Sequence, residues 1–369
     1  MNNNSYPTWV EVNLSAIIHN THLVIQSTGV ALMSVVKANA YGHGIIEVAK
    51  ATLEGGATWL GVARLNEAFK LRDAGITAPI LAMGAATPNE IDQAIGRDVT
   101  ITLHSAEVAD LFIERAKAIG KPVNAHMKVE TGLGRLGMMP EEILPIAQKA
   151  IQSGWVNLDG VFSHFAMADI KDHPLTPLQI KRFKQVVDEL HAAGIRPKWL
   201  HLCNSAGALA YPEAKFNLVR AGSAVIGVNP FEGSRMPTSL RTSLTWKAWL
   251  VSCKVLPKGW GISYGQQYTT TSDEIIGVVP VGYGDGFRRF SNNEVLIDGQ
   301  RVPVVGRVCM DQCMIRLPRR YPLGTEVVLL GKQGNETITA DDLAVRWNTT
   351  LVDVCAILAQ RVERVYVRD

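Results

Sequence analysis

The chain has 369 residues, 37 Lys and Arg against 34 Asp and Glu for a net charge of +3, and 47% hydrophobic residues. This near-neutral balance, without blocks of like charge, removes the electrostatic footprint that a nucleic-acid binder carries, and the apolar fraction excludes a disordered chain. At this length about two domains are expected, each able to bury a core without disulfide staples. The opening, MNNNSYPTWVEV, holds neither the basic stretch nor the apolar core of a secretion leader. No uncharged apolar run reaches the ~18 residues of a membrane span. The five cysteines (Cys203, Cys253, Cys309, Cys313, Cys355) are odd in number and scattered, which fits a reducing compartment. A cytoplasmic protein with no membrane or nucleic-acid partner is expected.

From Ala31 onward two periods alternate. Short apolar, β-branched runs begin at Ala31 (ALMSVV), Thr58 (TWLGVA), Pro79 (PILAMG), Val99 (VTITL), Val123 (VNAHMKVE), Asp159 (DGVFSHFA), Trp199 (WLHLCNS) and Phe216 (FNLVRAG). Helix-length amphipathic stretches lie between most of them, such as Ser105 to Gly120 and Thr176 to Gly194, with Ser105 as N-cap and the two glycines at C-cap positions. This alternation predicts an α/β fold with an N-terminal (β/α)8 barrel of the TIM type over residues 8–236. A doubly wound open sheet is the alternative, because periodicity does not reveal closure. After about Pro237 the rhythm changes to strands separated by turn residues, with Asp298-Gly299 as a hairpin turn and a helix opened by Thr339 over Ala340 to Trp347. Residues 237–369 are expected to form a mostly antiparallel β domain.

A barrel places its chemistry at the C-terminal ends of its strands or in the loops after them. The first such end is SVVKANAYGHG, with Lys37, Asn39, Tyr41 and His43. Lysine there reads either as a side chain reaching solvent or as a desolvated amine suited to a Schiff base. The seventh and eighth ends give His201, Asn204 and Ser205, then Arg220, Gly222 and Ser223. Hydroxyls and unhindered backbone N–H groups at those two loops suit a phosphate. A lysine at one end and a phosphate cup at the other fit pyridoxal phosphate, provided the sheet closes.

Gly132 to Gly137 spells G-x-G-x-x-G, yet Met138-Met139-Pro140 separate it from a helix and it follows the fifth strand, so a dinucleotide site is disfavoured. Arg135 within it is a two-pronged donor suited to a carboxylate. Tyr264 stands between a serine and a glycine in GISYGQQYTT. Cys309 and Cys313 lack the second ligand pair of a zinc site, and the nine histidines show no ligand spacing, so no catalytic metal is expected.

Taken in order, VVKANAYGHG, KVETGLGRLGM, HFAMAD, HLCNSAG, LVRAGSAVIG, SYGQQYT, VPVGYGDGFRR and GRVCMDQ resemble the bacterial alanine racemases, from about Trp9 to Val367. The resemblance implies a pyridoxal 5'-phosphate enzyme that interconverts L-alanine and D-alanine and supplies D-alanine for peptidoglycan, working as a head-to-tail homodimer. It makes Lys37 the lysine that holds the cofactor and one catalytic base, and Tyr264, reaching across from the partner subunit, the other. Tyr41, Ser205, Gly222 and Ser223 fall at phosphate-binding positions, Asn204 counts with the cofactor-binding residues, and His164 and Arg220 lie against the ring, with Arg220 at its nitrogen. Arg135 matches the arginine for the substrate carboxylate, and Lys128 the lysine often carbamylated beside it. Tyr283, Arg307 and Met310 match residues around the substrate entry and pocket. Two bases on opposite faces satisfy the stereochemistry of racemisation, provided each is tuned down from a pKa near ~10.

Three positions depart from the family pattern: Ile226 and Val352 stand where tyrosines are usual, and Asn66 where an acid usually steadies the histidine–arginine network. The smaller Val352 predicts tolerance of serine or other larger amino acids, so a serine or broader-specificity racemase is the alternative. A decarboxylase of the same barrel type would carry an acid rather than Arg220 at the ring nitrogen. A non-catalytic pyridoxal-phosphate-binding protein would resemble the barrel alone.

Overall fold

The protein is described by a computed structural model over residues 6–231 and 239–369. The domain boundary expected between residues 236 and 237 lies outside the described residues. Two compact units emerge. One comprises Ala16–Ala40 and Ile45–Arg241, the other the N-terminal residues through Ser15, Tyr41–Gly44 and Thr242–Asp369.

The strand β1 (Thr8–Asn13) belongs to the second unit, and the first unit holds the next eight. These are β2 (Ala31–Val35), β3 (Trp59–Val62), β4 (Ile80–Ala82), β5 (Thr100–Leu103), β6 (Val123–Lys128), β7 (Val156–Phe162), β8 (Trp199–His201) and β9 (Leu218–Ala221). Each matches a run expected from the sequence. They are parallel in the order β8-β7-β6-β5-β4-β3-β2-β9, and β9 returns to pair with β2, Met33 opposite Arg220. The one junction without a ladder, β8 to β9, is bridged in other ways. The Arg220 N–H donates to the Cys203 carbonyl at 3.1 Å. The Asn217 amide oxygen accepts from the Leu200 N–H at 2.8 Å while its NH2 donates to the Lys198 carbonyl at 2.6 Å. The sheet thus curls into a nearly closed barrel, and the open doubly wound alternative falls away.

β3, β4, β5 and β9 are buried along their whole length, as parallel strands under helices must be, which is why they read as continuous apolar runs. Met33, Trp59, Leu81, Phe162 and Leu218 form one core cluster among them. Outside, helix Ala106–Ile119 starts where the Ser105 hydroxyl accepts from the Val108 N–H at 3.3 Å and stops at Gly120 with φ +76°. These are the caps that its ends require.

The second unit is built on a sheet that runs Ser252–Leu256, Glu274–Val279, Cys313–Leu317, Gln300–Val305, Glu294–Ile297, Glu326–Gln333, Leu244–Trp249, β1, Glu363–Val367. Every neighbour is antiparallel except the last pair. The Asp298-Gly299 turn has positive φ at both residues, +52° and +70°, as a type I′ hairpin demands. Thr339 caps helix Ala340–Trp347 by accepting from the Asp342 N–H at 3.0 Å. β1, grouped by sequence order with the barrel segment, is stitched into this sheet. The Trp246 indole donates to the Thr8 hydroxyl at 2.9 Å, and Lys247 bridges Glu11 and Glu326 at 3.0 and 3.3 Å. Among the described residues no helix is long and apolar enough to cross a membrane.

Candidate active site

Lys37 leaves the end of β2 into an unusual turn: Ala38, Asn39, Ala40 and Tyr41 all have φ between +52° and +56°. Left-handed backbone costs a non-glycine residue about 1–2 kcal/mol, so four in succession need outside support. It comes from Glu67, whose Oε1 accepts from the Ala38 N–H at 2.5 Å while its Oε2 accepts from Ala63 and Arg64. Asn39 adds a bond, its side-chain oxygen accepting from the Ile45 N–H at 3.0 Å. The β2–β9 pairing sets Lys37 beside the strand end that carries Arg220 and Gly222. Burial, then the charge of Arg135, hold the Lys37 amine below its ordinary pKa, with Glu67 opposing.

The seventh and eighth barrel ends meet. Asn204 caps helix Ser205–Ala210 by accepting from the Gly207 N–H at 2.9 Å. The buried Ser205 hydroxyl oxygen accepts from the N–H groups of Gly222 at 3.1 Å and Ala224 at 3.3 Å. Its own proton stays available to a ligand. The Ile226 N–H closes the turn on the Gly222 carbonyl at 3.2 Å, and Val228 on that of Ser223 at 2.9 Å. Asn204, Ser205, Gly222 and Ser223 are thereby brought into one cup.

Arg220 is buried and makes five hydrogen bonds through its two terminal nitrogens. Nη1 donates to His201 Nδ1 at 2.8 Å and the His201 carbonyl at 3.0 Å. Nη2 donates to the carbonyls of Ser163 and Leu202 at 2.7 and 3.1 Å and to His164 Nδ1 at 3.0 Å. Its Nε–H bonds none of the described residues. Guanidinium only donates, so the tautomers follow. His201 must carry its proton on Nε2, which donates to His126 Nδ1 at 2.9 Å. His126 must then carry its own on Nε2, where it finds no partner. Burial, reinforced by the Arg220 charge, holds His126 down at about 3 and pushes His201 and His164 well below the ordinary range. All three rings are neutral. Asn66 is exposed on its helix, and the network ends instead at His126.

Lys128 lies two residues beyond His126 on β6, buried, with its ammonium 5.4 Å from the Phe162 ring centre. Burial and then the charges of Arg135 and Arg220 lower its pKa to about 8, so a sizeable neutral fraction is free to act as a nucleophile. Arg135 sits exposed in the loop after β6, its guanidinium paired with no described residue. That loop does not open a helix: the next, Pro140–Gln152, begins beyond it. With Lys37, Lys128, Arg135 and Arg220 sensing one another's charge, the barrel mouth is a cationic site suited to a phosphate and a carboxylate.

The second unit holds the remaining candidates. Tyr264 is 71% exposed, on a turn between the paired strands Gly261–Ile262 and Tyr268–Thr269. The turn is strained: Ser263 has φ +62° and ψ −177°, a region otherwise left to glycine. Ser263 is held there by its hydroxyl, which donates to the Arg307 carbonyl at 2.7 Å. Below it, Ile262 packs with Ile276 and Val305. Tyr283 and Met310 come together because the Tyr283 N–H donates to the Cys309 carbonyl at 3.0 Å and the Gly284 N–H to the Met310 carbonyl at 2.9 Å. A Cβ on Gly282 would lie 2.2 Å from that same carbonyl oxygen, so only glycine fits. Tyr41 is buried, and Arg364 Nε donates to the next carbonyl, Gly42, at 3.0 Å. Val352 is half-buried in helix Leu351–Ala356.

Sequence reasoning passed over Glu67, Glu130 and His126. His126 had a signal, since it shares a strand face with Lys128 at a spacing of two. The two acids act on backbone N–H groups, which leave no mark in side-chain patterns.

The family model described as "Alanine racemase, N-terminal domain" matches residues 12–230, and "Alanine racemase, C-terminal domain" matches 243–366. An alanine racemase of Symbiobacterium thermophilum is 42% identical over 365 residues, 98% of this chain and 97% of that one. The crystal structure of alanine racemase from Bacillus anthracis with bound L-Ala-P superposes with a TM-score of 0.94 at 39% identity, covering 98% of this chain and 95% of that one. A histidine racemase from Leuconostoc mesenteroides gives 0.92 at 31% identity, covering 99% of each. With both family models matched in order and the likeness running along nearly its whole length, the chain belongs to the alanine racemase family.

Proposed function

We propose that the protein interconverts L-alanine and D-alanine with pyridoxal 5'-phosphate, as a homodimer in which Tyr264 of the partner subunit completes the site. The observation that carries this reading is the β2–β9 pairing, which sets the half-buried Lys37, its amine held below the ordinary pKa, beside the Ser205–Gly222 cup. The donor set fits the cofactor: an amine for its aldehyde, hydroxyl and N–H groups for its phosphate, and the unspent Nε–H of Arg220 for its ring nitrogen. When bound, pyridoxal phosphate takes up a primary amine at its aldehyde and offers a conjugated ring to the electron pair left by a departing α-proton.

The rest is the work of the protein. Ser205, Gly222, Ser223 and Tyr41 bind the phosphate, and Asn204 orders the cup. Arg135 takes the substrate carboxylate, with Lys128 at its side, carbamylated when its neutral amine has captured carbon dioxide and released a proton. Lys37 holds or removes a proton on one face of the substrate α-carbon, and Tyr264 of the partner subunit does so on the other. Arg220, which has no acceptor, can only donate to the ring nitrogen and so leaves it unprotonated. That favours racemisation over decarboxylase chemistry. His164 orients the ring, and Tyr283, Met310 and Arg307 shape the entry. In this division of labour the segment 8–236 holds the cofactor and one base, and 237–369 supplies the other. The exposure of Tyr264, Tyr283, Phe290 and Met310, at 71%, 42%, 38% and 53%, supports a second copy as their cover.

The test uses the protein loaded with pyridoxal phosphate. Borohydride should fix the cofactor irreversibly on the peptide containing Lys37, and L-alanine should yield D-alanine with solvent deuterium at Cα. The gene should rescue a D-alanine auxotroph. A modified lysine elsewhere, or no D-alanine, overturns the reading. Val352 extends the expected substrate range, because a ring and a hydroxyl are missing there, and the histidine racemase shows a larger amino acid on a similar scaffold. Val352→Tyr is expected to lower kcat/KM for L-serine relative to L-alanine by about tenfold, the scale of a modest change in pocket volume. An unchanged ratio refutes the specificity assignment.

A further inference from the structure

The loop that carries Arg135 has little to hold it. The chain leaves β6 at Lys128 and returns at Met138, whose N–H donates to the Lys128 carbonyl at 2.9 Å, while the Glu130 N–H donates to the Met138 carbonyl at 2.8 Å. Between these bonds lie three glycines at φ +141°, +67° and +137° (Gly132, Gly134, Gly137) and no helix or ladder. Yet four successive N–H groups turn inward onto one carboxylate. Glu130 Oε1 accepts from Gly132 at 2.5 Å and Leu133 at 2.7 Å, and Oε2 from Gly134 at 2.9 Å and Arg135 at 3.3 Å. The base of the loop is clamped separately. The hydroxyls of Thr131 and Ser163 bond at 2.7 Å, Gln179 donates to the Thr131 hydroxyl at 3.1 Å and Arg182 to the Thr131 carbonyl at 2.7 Å.

A concave run of backbone N–H groups is a nest for an anion, and here the chain fills the nest itself. This accounts for a G-x-G-x-x-G sequence that is closed to a pyrophosphate. Burial raises the Glu130 carboxyl, but the four N–H groups together bring it below its ordinary value, so it is ionised at neutral pH.

We infer that Glu130 is a positioning residue, an internal anion that folds Gly132–Arg135 into one shape and thereby fixes where the Arg135 guanidinium meets the substrate carboxylate. The inference rests on the reading of Arg135 as the carboxylate-binding residue. Charge-assisted hydrogen bonds are about twice as strong as neutral ones, so loss of the carboxylate frees the loop without touching the barrel core.

The experiment compares Glu130→Ala, Glu130→Gln and Arg135→Ala by steady-state kinetics and by amide hydrogen exchange. In Glu130→Ala, KM for L-alanine is expected to rise about tenfold or more with a smaller fall in kcat. Exchange at Leu133, Gly134 and Arg135 should accelerate by a similar factor, with protection of the barrel strands unchanged. Glu130→Gln keeps one acceptor oxygen and should fall between. If Arg135→Ala raises KM while Glu130→Ala changes neither KM nor exchange, the inference fails and the reading of Arg135 stands. If Arg135→Ala leaves KM unchanged, the reading of Arg135 fails with it. Faster exchange throughout the barrel in both Glu130 variants would mark a merely structural residue and also overturn the inference.

Discussion

Lys37→Ala is expected to abolish α-proton exchange of both alanine enantiomers, whereas Tyr264→Phe is expected to suppress it strongly for one and leave it for the other. The asymmetry follows from the two assigned roles. In the proposed mechanism Lys37 serves both as the attachment point and as a base, so its removal disables both directions, with an expected fall of at least about 10⁴-fold in kcat/KM. Tyr264 serves only as a base. Without its hydroxyl the remaining base still removes and returns a proton on its own face, but inversion slows by about 10²- to 10⁴-fold. The measurement is deuterium wash-in from D2O at Cα, followed by NMR on each enantiomer separately. The enantiomer that keeps exchanging in Tyr264→Phe identifies the face served by Lys37. Unchanged exchange in both variants would refute a two-base mechanism with these residues. Partial burial, which lowers the Lys37 pKa, favours the neutral amine that the proposed base role requires, and the strained Ser263 backbone presents Tyr264 at the tip of a turn.

The sequence revealed more of the strands than of what joins them. All eight barrel strands were legible, most of them because parallel strands buried on both faces become apolar runs. Closure was not legible, since the last junction depends on two side chains, Asn217 and Arg220, and one backbone bond, Arg220 to Cys203. The place of β1 was hidden by distance: it pairs with Leu244–Trp249 and Glu363–Val367, and local pattern cannot choose a partner so far along the chain. At the site, Lys37 and the Ser205–Gly222 cup could be found by asking what stands at strand ends. The left-handed turn from Ala38 to Tyr41 could not, because no glycine announces it. Glu130 was masked by its own loop, whose glycines drew attention to an external phosphate.

Arg220→Ala is expected to lower the melting temperature by about 10 °C even without cofactor. The guanidinium is buried and bonds five acceptors, among them the carbonyls of Ser163, His201 and Leu202. Removing it orphans buried groups that cost about 1–3 kcal/mol each when left unsatisfied. Partial rearrangement leaves a net loss of about 3–5 kcal/mol, and at 2–4 °C per kcal/mol this gives about 10 °C. Arg220→Lys keeps the charge but offers three donors from one nitrogen in place of a planar fork, so it should recover only part of the loss. The same substitution tests the tautomer chain. The Arg220 charge is the second cause, after burial, of the low pKa of His164 and His201, so in Arg220→Ala both should move up toward the ordinary histidine value. Calorimetry reads the first effect and histidine NMR titration the second. Wild-type melting together with unmoved histidines would show that Arg220 does not organise the barrel mouth, and the assignment of its Nε–H to a ring nitrogen would lose its structural basis.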